Sequence, residues 1–164
     1  MRLILALVIA ATMTKTPGDV KTMIENESTG MMILNNYGQY ELITTEDILL
    51  MERCVMSEAG NQPEQAQEAV ATVILNRWMC PDKYPDTISG VIMQENQFST
   101  HDNGDPTVSV RLAVHDAIHY YNTCAQDIPS QTYYFRSFCY HDFGIPYCKY
   151  GDMYFSLASD AVID

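Results

Sequence analysis

Positive charge is scarce in this chain: 9 Lys and Arg stand against 21 Asp and Glu, a formal net charge of -12 over 164 residues. Binding DNA or RNA needs a basic footprint to meet the phosphates, so the balance argues against nucleic acid and against other polyanions. A neutral polymer such as a glycan stays open, and 11 Tyr, 5 Phe and 1 Trp supply faces on which sugar rings can lie, although core packing claims most of them. No C-x-x-C spacing occurs among the 5 cysteines, which leaves a structural zinc knuckle unsupported, and the odd count leaves at least one thiol unpaired. Cys139 and Cys148 flank a turn-rich segment containing Gly144 and Pro146, where a disulfide would suit an exported protein. Cys54 reads as a small buried hydrophobe instead. The apolar run from Leu3 to Ala11 is too short to span a bilayer comfortably. Placed after Arg2 and before the polar "TMTKTPG", it reads as a secretory signal, with an uncleaved anchor or a buried N-terminal helix as the alternatives.

The length fits one domain. Residues 1–40 read as a signal or anchor segment followed by a linker rich in Thr, Asn, Gly and Glu, with room for a short strand or turn, and residues 41–164 as the folded domain. Thr44 with Asp47 resembles a capping box, and Ile48, Met51, Val55 and Ala59 then share one face, predicting a helix over 45–59 closed by Gly60. Pro63 opens a second helix whose period runs to Trp78. A short helix follows in "TISGVIMQENQF", and another starts at Asp105 and Pro106 and ends near Asn122. After Pro129, "TYYFRSF" and "GDMYFS" predict two antiparallel strands separated by a loop from Cys139 to Tyr150. The fold class is therefore α+β, mainly helical, with a short antiparallel hairpin near the C-terminus.

One residue sits oddly in this pattern. Glu58 follows Val55 by three positions and Met51 by seven, which on an ideal helix puts it on their buried face at the helix C-terminus. Burial and the partial negative charge of the terminal carbonyls both favour its neutral acid form. A carboxylic acid kept protonated beside a cleft is what general-acid cleavage of a glycosidic bond requires. Pairing with a cation such as Arg77, or capping of a neighbouring helix, explains the same spacing structurally.

The segment "MSEAGNQPEQAQEAVATVILNRW" resembles the opening of the cell wall hydrolase family of the spore cortex-lytic enzyme type (SleB/CwlJ-like). Two more blocks follow in order: "YPDTISGVIMQENQFST" is similar to the family's F-P-x-T-I-x-x-V-I-x-x-x-x-Q-F-S, and "TYYFRS" with "YGDMYFS" to its paired C-terminal strands. The resemblance covers about residues 47–156. It implies a small lysozyme-like catalytic domain acting on peptidoglycan or spore-cortex glycan, at the bond between N-acetylmuramic acid and N-acetylglucosamine, outside the cytoplasm and without a cofactor. It also implies that Glu58 is the catalytic acid/base and that Gln97, Phe98 and Ser99 line the substrate groove, with Asn76 and Arg77 as structural support; Tyr134 joins the substrate-binding candidates as an aromatic face for a sugar. In a lytic transglycosylase one acid suffices, whereas a hydrolase usually needs a second carboxylate about 5 to 9.5 Å from the first. Asp102 and Asp105 are the candidates for it. Two departures stand out: Met153 replaces a family His, and Asn61-Gln62 replace the more common Glu after the glycine.

Two other classes compete. "HDAIH" places His115 and His119 at the i, i+4 spacing of zincin helices, as a metal-dependent amidase or peptidase would require, but with Asp116 where such enzymes carry Glu and with a third ligand to be found in His101 or His141. The other is a non-catalytic glycan-binding module built on Tyr133, Tyr134, Phe135, Tyr147 and Tyr154, about half of which strand alternation sends into the core.

Overall fold

A computed structural model of the chain describes residues 30–35, 38–99 and 104–161. The expected signal segment lies outside them. The chain divides into two compact units, Met1–Glu46 and Asp47–Asp164. In the first, β1 (Gly30–Leu34) and β2 (Tyr40–Thr44) form an antiparallel pair running from Gly30↔Thr44 to Leu34↔Tyr40. Asn35 closes it, its N–H on Gln39 O at 2.8 Å and its Oδ1 accepting from Gln39 N–H at 2.9 Å.

The second unit is built on four helices and a sheet. Helix α1 (Thr45–Ala59) buries Ile48, Met51, Glu52, Cys54, Val55 and Ala59. Helix α2 (Glu64–Trp78) starts directly after Pro63 and is buried almost all round from Ala66 to Trp78, as its run "AVATVIL" demands of a central helix. It packs against α4 (Val108–Thr123), the short α3 (Ile88–Met93) and strand β3. Thr87 caps α3 through a hydrogen bond from Gly90 N–H at 3.0 Å. Helix α4 begins two residues later than Pro106 suggests because Thr107 takes the cap, its Oγ1 accepting from Val110 N–H at 3.2 Å. Its end is marked by Cys124 in the left-handed region, φ 52°.

The expected strand pair is present, with a third strand added. β3 (Thr132–Ser137) and β4 (Ile145–Tyr150) flank β5 (Met153–Leu157) in the antiparallel order β3-β5-β4. Strand β4 lies in the segment the sequence predicts as loop. Its Gly144 and Pro146 read as breakers, but an edge strand tolerates proline, and the register shifts between Pro146 and Cys148.

The topology also corrects the expected disulfide. All 5 cysteines are free thiols, including Cys139 beyond β3 and Cys148 in β4. Cys139 follows the end of β3 and Cys148 lies within β4, edges of the sheet that β5 separates by two strand spacings, roughly 9.5 Å.

Candidate active site

Helix α1 ends at the turn Gly60–Gln62, and Glu58 occupies its last turn. Glu58 is half-buried, which departs from the burial its spacing predicts. The acid that α1 does bury is Glu52, 4% exposed, on the same face as Ile48, Val55 and Ala59. Glu58 sits at the flank of that face and opens partly to solvent. Its Oε1 accepts a hydrogen bond from the Ser99 backbone N–H.

Ser99 follows a turn over Gln94–Phe98 in which Gln97 N–H bonds Gln94 O at 3.2 Å and Asn96 is left-handed, φ 61°. Gln97 and Ser99 have exposed side chains, while the half-buried Phe98 lies with its ring centroid 4.9 Å from Arg77 Cζ and 5.8 Å from that of Phe135. Glu58, Phe98 and Ser99 thus meet at one place. Gln97 is in the adjoining turn.

Arg77 is the buried centre beneath them, 3% exposed. Its Nε and Nη2 both donate to Tyr133 O, at 2.9 and 2.7 Å, and Nη1 has no hydrogen-bond partner. Burial lowers its pKa, opposed by Tyr84, Tyr134, Cys54 and Glu58 around it. Burial also pushes the Cys54 thiol up, with the Glu58 carboxylate adding to the effect. Asn76 donates from Nδ2 to Pro129 O and Thr132 O, both at 3.0 Å, so both α2 residues read as support tie this helix to β3 and its lead-in. Tyr134, half-buried on β3, faces the hydroxyl of Tyr84, whose own hydroxyl burial pushes up. Sequence reasoning missed Tyr84. The available signal was its place in "YPDT", where the resembled block has Phe.

A second clasp holds the helix junction to the sheet. Gln62 Oε1 accepts from Asp152 N–H at 2.9 Å, Gln67 Nε2 donates to Gln62 O at 3.0 Å, and Ser109 Oγ donates to Gln67 Oε1 at 2.8 Å. Gly151, φ 56°, permits the approach, since a Cβ there would meet Gln62 Oε1 and Pro63 Cδ at 2.6 Å. This is what replaces the expected family Glu after the glycine: an amide that can accept from a backbone N–H without carrying charge.

The other candidates lie elsewhere. His115 and His119 are exposed on α4, with His115 Nε2 4.0 Å from Glu52 Oε1 and Arg111 Nε 3.9 Å from Glu52 Oε2. Among the described residues no three His, Cys, Asp or Glu side chains converge as a metal site. His141 is bound into the β3–β4 loop, donating from Nε2 to Phe135 O at 3.0 Å. Asp105 is exposed, and His101 and Asp102 lie outside the described residues. Met153 is buried, its sulfur 3.5 Å from Ser137 Oγ, and supplies no proton donor.

With this geometry the chain can be set beside known proteins. The cell wall hydrolase profile matches residues 61–155, a span that starts just after Glu58. The spore cortex-lytic enzyme of Oceanobacillus iheyensis is 43% identical over 76 residues, 44% of this chain and 27% of the relative. That of Halalkalibacterium halodurans is 42% identical over 96 residues, 55% of this chain and again 27% of the relative. The chain therefore spans about a quarter of the length of these relatives. Among solved structures, the catalytic domain of Bacillus cereus SleB is similar at TM-score 0.57 and 27% identity, covering 69% of this chain and 91% of that one. The catalytic domain of the germination-specific lytic transglycosylase SleB from Bacillus anthracis gives the same TM-score and identity, over 70% and 96%. The small α+β, lysozyme-like fold expected from the sequence is thus shared with these domains, and the match over more than half its length places the chain in the cell wall hydrolase family.

Proposed function

We propose that the chain cleaves the glycan strand of peptidoglycan or spore cortex between N-acetylmuramic acid and N-acetylglucosamine, as a lytic transglycosylase in which Glu58 is both acid and base. The observation that carries this reading is the Ser99 N–H on Glu58 Oε1. A carboxylic acid that accepts on one oxygen carries its proton on the other, so Oε2 is the atom turned to the substrate. From Oε2 the proton passes to the glycosidic oxygen as its bond to muramoyl C1 breaks. The carboxylate then takes the proton of the muramoyl C6 hydroxyl as that oxygen closes on C1, giving a 1,6-anhydro end and restoring the acid. Ser99 N–H, donating to the carboxylate in between, contributes oxyanion-type stabilisation. Tyr134 and Gln97 contact the sugars on either side, and Phe98, packed on Arg77 and Phe135, fixes the groove segment that presents Gln97 and Ser99. The similarity to the germination-specific lytic transglycosylase SleB of Bacillus anthracis supports this choice over hydrolysis.

In the same reading residues 41–164 are the catalytic domain, and residues 1–40 are a leader or anchor with its linker, placing the enzyme at the cell wall. No helix among the described residues is long and apolar enough to cross a membrane.

Mass spectrometry of muropeptides released from purified walls tests the chemistry: anhydro ends are expected, and reducing ends would replace transglycosylation by hydrolysis. Glu58→Gln preserves shape but cannot act as an acid. Cleavage should fall by at least roughly 10²-fold with the fold intact, and near-normal turnover would end the single-acid reading.

A further inference from the structure

The loop between β3 and β4, residues 138–144, carries more exposed aromatic surface than packing explains. Phe143 is 56% exposed and Phe138 78%. Exposure alone says little, but these side chains are held in place. The Phe143 ring stacks on His141, with centroids 4.6 Å apart and planes at 28°, and meets the edge of Tyr134 at 5.1 Å. His141 is fixed in turn by its hydrogen bond to Phe135 O. Gly144, φ 81°, lets the loop lie on the sheet, since a Cβ there would stand 2.6 Å from Leu157 O and 3.3 Å from Tyr134 Cδ2. Phe138 adopts φ 70°, a left-handed conformation unfavourable for an aromatic residue and persisting only where the surroundings hold it, here through its N–H on Asp152 O at 2.8 Å.

We propose that this loop is a distal carbohydrate subsite, with Phe143 its stacking face, continuing past Tyr134 the groove that starts at Glu58. The proposal rests on the glycan-cleaving reading and deepens it. Continuity comes through Tyr134, which lies beside Arg77 and Tyr84 of the acid site and also packs against Phe143. The occupant is an N-acetylglucosamine ring, uncharged and presenting a face of axial C–H groups to an aromatic surface. A net charge of -12 disfavours an anionic occupant, and the exposed Asp142 beside the stacked pair offers acceptors for sugar hydroxyls. Because the rings are already ordered, binding loses little side-chain entropy.

The test measures binding of N-acetylglucosamine dimer and hexamer by calorimetry to the full chain carrying Glu58→Gln, alone and with Phe143→Ala or Phe143→Trp. Phe143→Ala should weaken hexamer binding roughly 2- to 10-fold, the range of one aromatic contact, with dimer binding and melting temperature unchanged. Phe143→Trp should restore hexamer binding. Equal hexamer affinity with and without Phe143 would overturn the subsite, and so would no hexamer binding by the parent. Altered sedimentation of Phe143→Ala with unchanged glycan affinity would assign the patch to self-association instead. Cleavage of the hexamer in the Glu58→Gln background would count against the acid assignment and leave the subsite comparison standing.

Discussion

Glu58 depends on a hydrogen bond that no partner side chain makes. Because Ser99 contributes its backbone N–H, Ser99→Ala should cleave walls like the parent, whereas Ser99→Pro, which removes the donor, should lose activity by roughly 10- to 100-fold. Comparing the two variants on the same wall preparation checks this, and equal activity would remove the amide from the mechanism. Phe98 beside it acts through packing. Its ring is half-buried against Arg77 and Phe135, so Phe98→Ala should cost about 1.5 to 2.5 kcal/mol in denaturant unfolding, half the range for a fully buried ring. At this scale the sequence was legible in part. Helical spacing found a helix with an inward acid but pointed to Glu58, when Glu52 fits the same face better. Spacing reports the face of an ideal helix, not where the core stops covering it. The contact that distinguishes Glu58, a main-chain group 41 positions away, leaves no trace in residue identities.

The helices were readable from their periods and breakers more than from their caps: α2 has no side-chain cap, and α4 is capped by Thr107 instead of opening at Pro106. Strand β4 was not, since an edge strand with no regular alternation, a proline and a shifted register takes its identity from β5 rather than from its own composition. Helix α2 carries a charge effect that only packing reveals. Burial, then Asp127, Asp116 and Glu64, push Glu68 up to about 7 from 4.5. The folded state therefore holds this proton more tightly than the unfolded chain. Its stabilising contribution is present below about pH 4.5 and is lost as pH rises through about 7. Glu68→Gln is expected to raise the melting temperature at pH 8 and leave it unchanged at pH 4. Thermal scans at the two pH values check this, and equal shifts would mean that the effect is packing alone.

Across the whole molecule, three ordered blocks located the domain, because their order fixes which helix ends and strands meet. What sequence could not supply was the distance between blocks, such as the approach of Gln62 to Asp152 across 90 positions. The same geometry bears on the metal alternative. His115 lies beside Glu52, and His141 is bound into the β3–β4 loop. Exhaustive chelation should therefore leave wall-lytic activity unchanged, and loss with recovery on added zinc would favour the zincin reading instead.

The order β3-β5-β4 also has a meaning in time. The central strand of the sheet is the last one made, so during synthesis β3 and β4 emerge with no partner between them and cannot form the finished sheet. Tyr134 reaches its paired position opposite Ser156 only when Leu157 and the residues before it have left the ribosome. A chain interrupted between Thr123 and Met153 would carry Glu58 and its helices yet lack the strand that joins the two edges. On the proposed reading, lytic capacity is thus withheld until β5 has been made.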